Sequence, residues 1–297
     1  KAGVFPVYTW LPRTYPSTSA AVMGLFSGLH TKVAVYMLYR LYVQLFDLEQ
    51  RWNVLIIVIM IISMMIGAFG GLAENSIRRV LGYQMLNGMP FILVMLAFTS
   101  DDPRRALAAG IMYTIHHMLT VGSLILASGA IEETYGTGLL SKLSGLARRD
   151  PIIAWIFAAG AFSVVGFPPF SGMWGKLMIV FEIARVGGAW AWIAIAAIII
   201  ASFAAFLAML RVWRKVFWGK GLPEDKVPDE LVIRKKLMAP SAALILGSLC
   251  MFIFSGIVLD VVDSAAEQLL DTTAYTETVL GDEPIAVPNI DEIQEGR

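Results

Sequence analysis

Seven long apolar runs set the limits on what this chain of 297 residues can fold into. They cover roughly 19–45, 53–73, 80–99, 106–130, 152–185, 189–217 and 238–262. About 20 mostly apolar residues in a helix cross the hydrocarbon core of a bilayer, and each run is long enough. Residues 1–12 read as the end of an eighth. The joins are short and rich in charge and turn residues, as in "DLEQRWN", "TSDDPRR" and "SKLSGLARRDP". The expected fold is therefore an all-α membrane protein, a polytopic bundle of transmembrane helices.

Composition agrees. Hydrophobic residues make up 57% and charged residues 15%, too apolar a balance for an ordinary soluble domain. The formal net charge is zero, which gives no support to a nucleic-acid partner. Cys250 is the only cysteine, so neither a disulfide framework nor a cysteine-based metal site is available. There is no Walker A loop, dinucleotide fingerprint, paired metal-ligand spacing or serine–histidine–acid set. No cofactor, metal or enzyme chemistry is expected of this chain, and an energy-coupling nucleotide or redox group would sit on another one. The sequence opens mid-pattern without an initiator methionine, and a piece of a longer protein is expected.

Lysines and arginines orient the bundle. The joins at 1–19, 73–79, 131–151 and 211–236 carry 14 of the basic residues, whereas the opposite side carries six. The positive-inside rule puts the first set in the cytoplasm. The expected organisation is a broken-helix end and join over 1–18, seven transmembrane helices over 19–262, an interfacial helix over 263–281 and an acidic loose tail over 282–297.

Three lysines lie inside apolar runs: Lys1, Lys32 and Lys176. An ionised lysine at the centre of a spanning helix costs on the order of 2.5–3.5 kcal/mol by insertion scales. Snorkelling to the interface is the bland explanation. It suits Lys32 and Lys176 poorly, because Lys32 lies mid-segment and, apart from His30, has apolar, aromatic or small residues for about two turns on either side. Desolvation weakens a lysine's hold on its proton, so several lysines in one bundle form coupled proton sites. Proline breaks accompany them: Pro6 and Pro12 near Lys1, and "GFPPFSG" before Lys176. Proline frees a carbonyl one turn back, which a membrane tolerates only within protein or beside water. Interrupted helices with ionisable residues are a sequence pointer to a transporter's ion site.

His116 and His117 lie mid-segment in "MYTIHHMLTVG". Taken singly, each fits a packed core role as well as a relay. As a pair beside intramembrane lysines, at least one is read as a proton carrier. His117 shares a helix face with Tyr113 and Val121, and His116 shares one with Met112 and Thr120. His30 lies two residues from Lys32 and points away from it unless the helix is locally unwound. Glu182 is either an exit-side proton acceptor or half of a surface pair with Arg185. The proton-transfer candidates are thus Lys1, Lys32, His116, His117 and Lys176, with His30, Tyr113, Thr120 and Glu182 as accessories.

"KAGVFPVYTWLP", "HTKVAVYMLYR", "SIRRVLGY", "IHHMLTVGSLILASGAI" and "GFPPFSGMWGKL" occur in this order. The set resembles the proton-translocating antiporter-like family, which includes large membrane subunits of respiratory complex I and the A and D subunits of Mrp-type Na+/H+ antiporters. The phrases "WLPRTYP", "TKVAVYMLYR" and "DTTAYTETVL" lean toward the D-type subunits. The resemblance implies a fourteen-helix fold with broken helices, of which this chain would be the C-terminal half. It implies that Lys1, Lys32, His117 and Lys176 are the family's intramembrane proton carriers. It also implies a bacterial inner-membrane location, other antiporter subunits as partners, and protons with Na+ as cargo. Arg13, His30 and Val121 depart from the family pattern. Val121 removes a titratable step below His117, so water, Thr120 or His116 would have to bridge to Lys176.

Three functions follow from these readings. The first is an ion-translocating subunit of a multisubunit cation/proton antiporter. The second is a proton-pumping subunit of complex I or of a membrane-bound hydrogenase. The third is a proton-inactive helical scaffold, against which the retained lysines argue.

Overall fold

The computed structural model describes residues 1–220 and 231–281. The tail expected over 282–297 and part of the 211–236 join lie outside the described residues. Everything described is helix or connection apart from one isolated bridge between Ser76 and Leu139.

Among the described residues, six helices are long and apolar enough to cross a membrane: α2 (Ala20–Gln44), α3 (Gln50–Ala73), α4 (Ile77–Ala97), α5 (Pro103–Tyr135), α9 (Gly188–Phe217) and α10 (Lys235–Ile253). A short α1 (Trp10–Thr14) precedes them. The run predicted over 152–185 forms two shorter helices, α7 (Pro151–Val165) and α8 (Ser171–Val186), preceded by the single turn α6 (Leu146–Arg149). The chain closes with α11 (Ser255–Leu270) and α12 (Thr273–Leu280).

Local sequence sets the ends of these helices. In α5 the Asp102 side chain accepts the Arg105 N–H at 3.2 Å, Pro103 takes the first turn, and Gly136 closes the helix in the left-handed region. Ser19 caps α2 by accepting the Val22 N–H at 3.3 Å. Gly166, at φ 104°, ends α7 and begins the break. The apolar run predicted as one span over 238–262 divides at Phe254, whose φ of −98° and ψ of 33° leave the helical region. Gly256, a weaker helix former than its neighbours, follows two residues on.

α4 is buried along nearly its whole length and forms the centre of the bundle. It meets α3 closely: a Cβ at Gly67 would fall 2.5 Å from the Asn87 backbone nitrogen. α5 packs against α4, α8, α10 and α11.

The four joins rich in basic residues meet on one face. Ile77 N–H donates to Gly138 O at 3.0 Å, and Gly145 N–H donates to Trp218 O at 3.1 Å. Arg78 pairs with Glu132 at 2.5 Å and also donates to Thr18 O. Arg211 donates to Glu74 O and, at 2.9 Å, to Asn75 Oδ1. Asp150 ties the 231–234 segment down: it accepts Tyr135 OH at 2.5 Å and the Ile233 N–H at 3.0 Å.

Candidate functional site

Two polar clusters and one further lysine site lie within the bundle. The first cluster begins in α2. Residues Phe26–His30 wind as a π turn, wider than the α-helix around it. Beside that turn the Ser27 carbonyl accepts the Lys32 ammonium at 2.7 Å and the Thr31 hydroxyl at 3.2 Å. Lys32 is 7% exposed, and its nitrogen also lies 3.2 Å from Thr31 Oγ1 and 2.8 Å from His117 Nδ1 on α5. His117 Nε2 is 3.5 Å from Gln84 O, at the outer limit of a hydrogen bond. An ammonium can only donate, so while Lys32 is charged Nδ1 accepts from it and the ring proton sits on Nε2, toward Gln84 O.

Small residues on α4 make room for that imidazole. A Cβ at Gly88 would stand 1.9 Å from His117 Cδ2. Nearby, the buried side chains of Gln84 and Asn87, also on α4, leave polar atoms without a protein partner, as does Ser27 Oγ. Buried polar atoms of this kind are suited to ordered water. Neither Lys32 nor Lys176 has a carboxylate within ion-pair distance among the described residues.

The second cluster is a closed circuit of five groups from four helices. His116 Nδ1 lies 2.9 Å from Ser171 Oγ, which lies 2.7 Å from Ser248 Oγ. Ser248 Oγ is 3.0 Å from Ser163 Oγ, Ser163 Oγ is 2.8 Å from Thr120 Oγ1, and Thr120 Oγ1 returns to His116 Nδ1 at 3.2 Å. All five residues are buried. The circuit spans α5, α7, α8 and α10, and it crosses the break between α7 and α8. Gly172 allows the close approach there: a Cβ would lie 1.9 Å from Ser163 O and 2.9 Å from His116 Cε1. Four hydroxyl protons serve five contacts when Nδ1 is bare, so one contact is always without a proton. A hydroxyl can turn to fill it, which leaves another contact empty.

Lys176 on α8 occupies the other side of the break. Its ammonium donates to Val165 O, at the last residue of α7, at 2.8 Å and to Ser202 Oγ on α9 at 2.8 Å. It also lies 5.3 Å from the centroid of the Phe91 ring. Phe91 stacks on Tyr113 at 5.2 Å, and Tyr113 packs against His116 and His117 at 5.2 and 6.2 Å. Among the described residues, no hydrogen bond joins Lys32–His117 to the His116 circuit or that circuit to Lys176.

The other candidates lie apart. His30 Nδ1 is 2.8 Å from Tyr15 OH, against Trp10 and Phe26, on a different side of α2 from Lys32. Glu182 meets Arg185 at 3.6 Å. Lys1 is exposed. Val121 is buried in an apolar cluster with Leu124 and Ile125, so nothing titratable follows His117 on that face. The sequence reading missed Ser163, Ser171, Ser202 and Ser248. Their signal was faint: a lone hydroxyl in an apolar run is common, and only their convergence makes them informative.

The helix order has counterparts among known proteins. The family described as "NADH:quinone oxidoreductase/Mrp antiporter, TM" matches residues 1–205. The chain is 33% identical over 282 residues to the D-type subunit of the Na(+)/H(+) antiporter of Bacillus subtilis (strain 168), covering 94% of this chain and 55% of the relative. It is 27% identical over 254 residues to the N-type subunit of the NADH-quinone oxidoreductase of Cupriavidus taiwanensis, covering 83% and 51%. Among solved structures, a chain of the Mrp complex from Dietzia sp. DQ12-45-1b superposes with a TM-score of 0.85 at 34% identity, covering 95% of this chain and 59% of that one. A chain of respiratory complex I from Thermus thermophilus shares the fold, with a TM-score of 0.72 at 20% identity over 91% and 56%. The chain spans about half the length of the curated relatives it matches. It is a multi-pass membrane protein and belongs to the NADH:quinone oxidoreductase/Mrp antiporter membrane family.

Proposed function

We propose that this chain is part of an ion-translocating subunit, of the D type, in a multisubunit Mrp-type Na+/H+ antiporter of a bacterial cell membrane. Its partners are the other subunits of that complex, and its cargo is the proton, exchanged for Na+. Protons move between Lys32, His117, the His116 circuit and Lys176. The observation that carries the reading is the buried contact of 2.8 Å between Lys32 Nζ and His117 Nδ1, without a neutralising carboxylate among the described residues. A fixed structural charge gains most from an acidic partner, whereas a proton carrier has to be able to lose its charge. The likeness to the Bacillus antiporter protein and to the Dietzia Mrp complex supports this reading.

Lys32 gives its proton to His117 Nδ1 when Nε2 can release one, and neutral lysine then accepts another from water. The gaps between the two clusters and Lys176 are crossed by water or by rotation of an imidazole. The hydroxyl circuit passes a proton by each oxygen accepting one and donating its own. The alternative, a proton-pumping subunit of complex I or of a membrane hydrogenase, would use the same residues and draw its energy from redox subunits. The likeness to the Cupriavidus oxidoreductase protein supports it less strongly, at 27% identity.

The test is Lys32→Ala in the full-length chain assembled with its partners. Proton-driven Na+ exchange in everted vesicles should be lost while the assembled complex is still recovered. Exchange at the parental rate would overturn the proposal.

A further inference from the structure

α7 carries a stripe of short side chains. Pro151, Ala154, Ala158, Ala161 and Val165 recur every three or four positions and line a groove of about 500 Å³ between α7 and α9. At about 1.5 Å per residue the stripe is roughly 21 Å long, more than one leaflet of a hydrocarbon core about 30 Å thick. Spread over that length, the volume gives a cross-section of roughly 24 Å², room for one extended hydrocarbon chain and too narrow to seat a helix about 10 Å across. The two ends of the groove differ. At one end it is lined by Ala147 on α6 and by Trp213 and Trp218, and indole rings suit the membrane–water interface. The residues beside them are cationic: Arg148 follows Ala147, and Arg214 and Lys215 follow Trp213. All three are exposed, and none forms an ion pair among the described residues. Asp150, the acid next along the chain from Arg149, is already engaged by Tyr135 OH and the Ile233 N–H. The other end reaches the break between α7 and α8. There Phe167 packs on Phe162 and Phe206 at 5.9 and 6.2 Å, and Val165 O accepts the Lys176 ammonium.

We propose that this groove binds one anionic phospholipid from the leaflet on the basic side, with an acyl chain along α7 and the headgroup on Arg148, Arg214 and Lys215. The chain is matched by the lining, which is aliphatic or aromatic throughout. The headgroup is matched by charge. Three cations without a carboxylate partner favour a lipid of net negative charge over a zwitterionic one, as basic pockets between spanning helices do. Width decides against a partner helix, and the absence of polar lining decides against water. A seated chain gives α7 a packed outer face up to the break that holds Lys176. The inference is independent of the proton path, since none of the residues that would hold the lipid is one of its carriers.

The experiment uses the full-length chain in its assembled complex, reconstituted in phosphatidylcholine vesicles. A trace of photoactivatable phospholipid is added, with a diazirine in its acyl chain. The headgroup is phosphatidylglycerol in one arm and phosphatidylcholine in the other. Irradiation followed by mass spectrometry maps the labelled peptides. The phosphatidylglycerol probe should label the groove residues of α7 and α9 more than the phosphatidylcholine probe by roughly fivefold. Unlabelled phosphatidylglycerol should compete, and added phosphatidylcholine should not. Combining Arg148→Gln, Arg214→Gln and Lys215→Gln should bring the two probes level. Ala158→Trp, which fills the groove, should remove labelling by both. If Ala158→Trp fails to assemble, the triple glutamine variant, which changes only exposed side chains, decides alone. Equal labelling by the two probes in the parent would show ordinary annular lipid and overturn the inference. So would a preference that persists in the glutamine variant, or labelling unchanged in an assembled Ala158→Trp complex. A groove that neither probe labels, the result expected if a neighbouring subunit covers it, would overturn it as well.

Discussion

Lys32 Nζ and His117 Nδ1 are 2.8 Å apart, although 85 positions separate the two residues in the chain. The contact exists because a π turn lies just before the lysine on α2 and because Gly88 on α4 leaves space for the imidazole. Removing the imidazole leaves Lys32, among the described residues, with the Ser27 carbonyl and the Thr31 hydroxyl. His117→Ala should therefore slow exchange by about 100-fold, the usual scale for losing a positioned proton carrier. His117→Gln, which can accept but does not titrate at working pH, should not restore it. Vesicle exchange assays on assembled complexes measure both.

Gly88→Ala tests positioning without touching a titratable group. The new methyl would stand 1.9 Å from His117 Cδ2, so the ring must move. Overpacking of this kind costs about 1–3 kcal/mol. A lower Tm in detergent together with slower exchange is expected. The combination Gly88→Ala with His117→Ala should regain the stability and not the exchange.

Lys176 bridges α7, α8 and α9 through Val165 O and Ser202 Oγ. Lys176→Ala should abolish exchange while partner subunits still assemble. Lys176→Arg should fail as well, because arginine stays protonated at any working pH. Lys176→Glu keeps a titratable group of opposite charge logic, so it should shift the pH optimum of exchange rather than only lower its maximum. Parental rate and pH profile in Lys176→Ala would show that the lysine is structural.

Ser248 closes the circuit from α10, where it contacts both Ser163 and Ser171. Ser248→Ala interrupts the circuit and leaves the Ser171 N–H without its acceptor. Slower exchange is expected, with a larger solvent deuterium isotope effect than in the parent. Ser248→Thr retains the hydroxyl and should recover most of the rate. An equal loss in the alanine and threonine variants would make the position a packing site.

Arg78 joins three connections, through Glu132 and Thr18 O. Both partners are largely shielded, so Arg78→Ala leaves a carboxylate without its cation. A loss on the order of 1–3 kcal/mol is expected, read as a lower Tm. The charge swap Arg78→Glu with Glu132→Arg should recover part of it.

The helices were legible because transmembrane length and apolar character are local properties. Asp102, Pro103 and Gly136 bound α5 from within that same segment, and the "GFPP" break appears where proline and glycine require it. Lys32, Lys176 and the histidine pair stood out because charge and imidazole are rare in hydrocarbon. The sequence by itself therefore determined a membrane bundle, its broken helix and the residues worth suspecting. It did not determine which suspects meet. Only the tertiary structure decided that Lys32 faces His117, that His30 turns to Tyr15, and that His116 joins hydroxyls from α5, α7, α8 and α10. The reason is physical. A hydroxyl in an apolar helix is neutral in sequence terms, and its partners are set by how four helices rotate and how closely glycines let them approach.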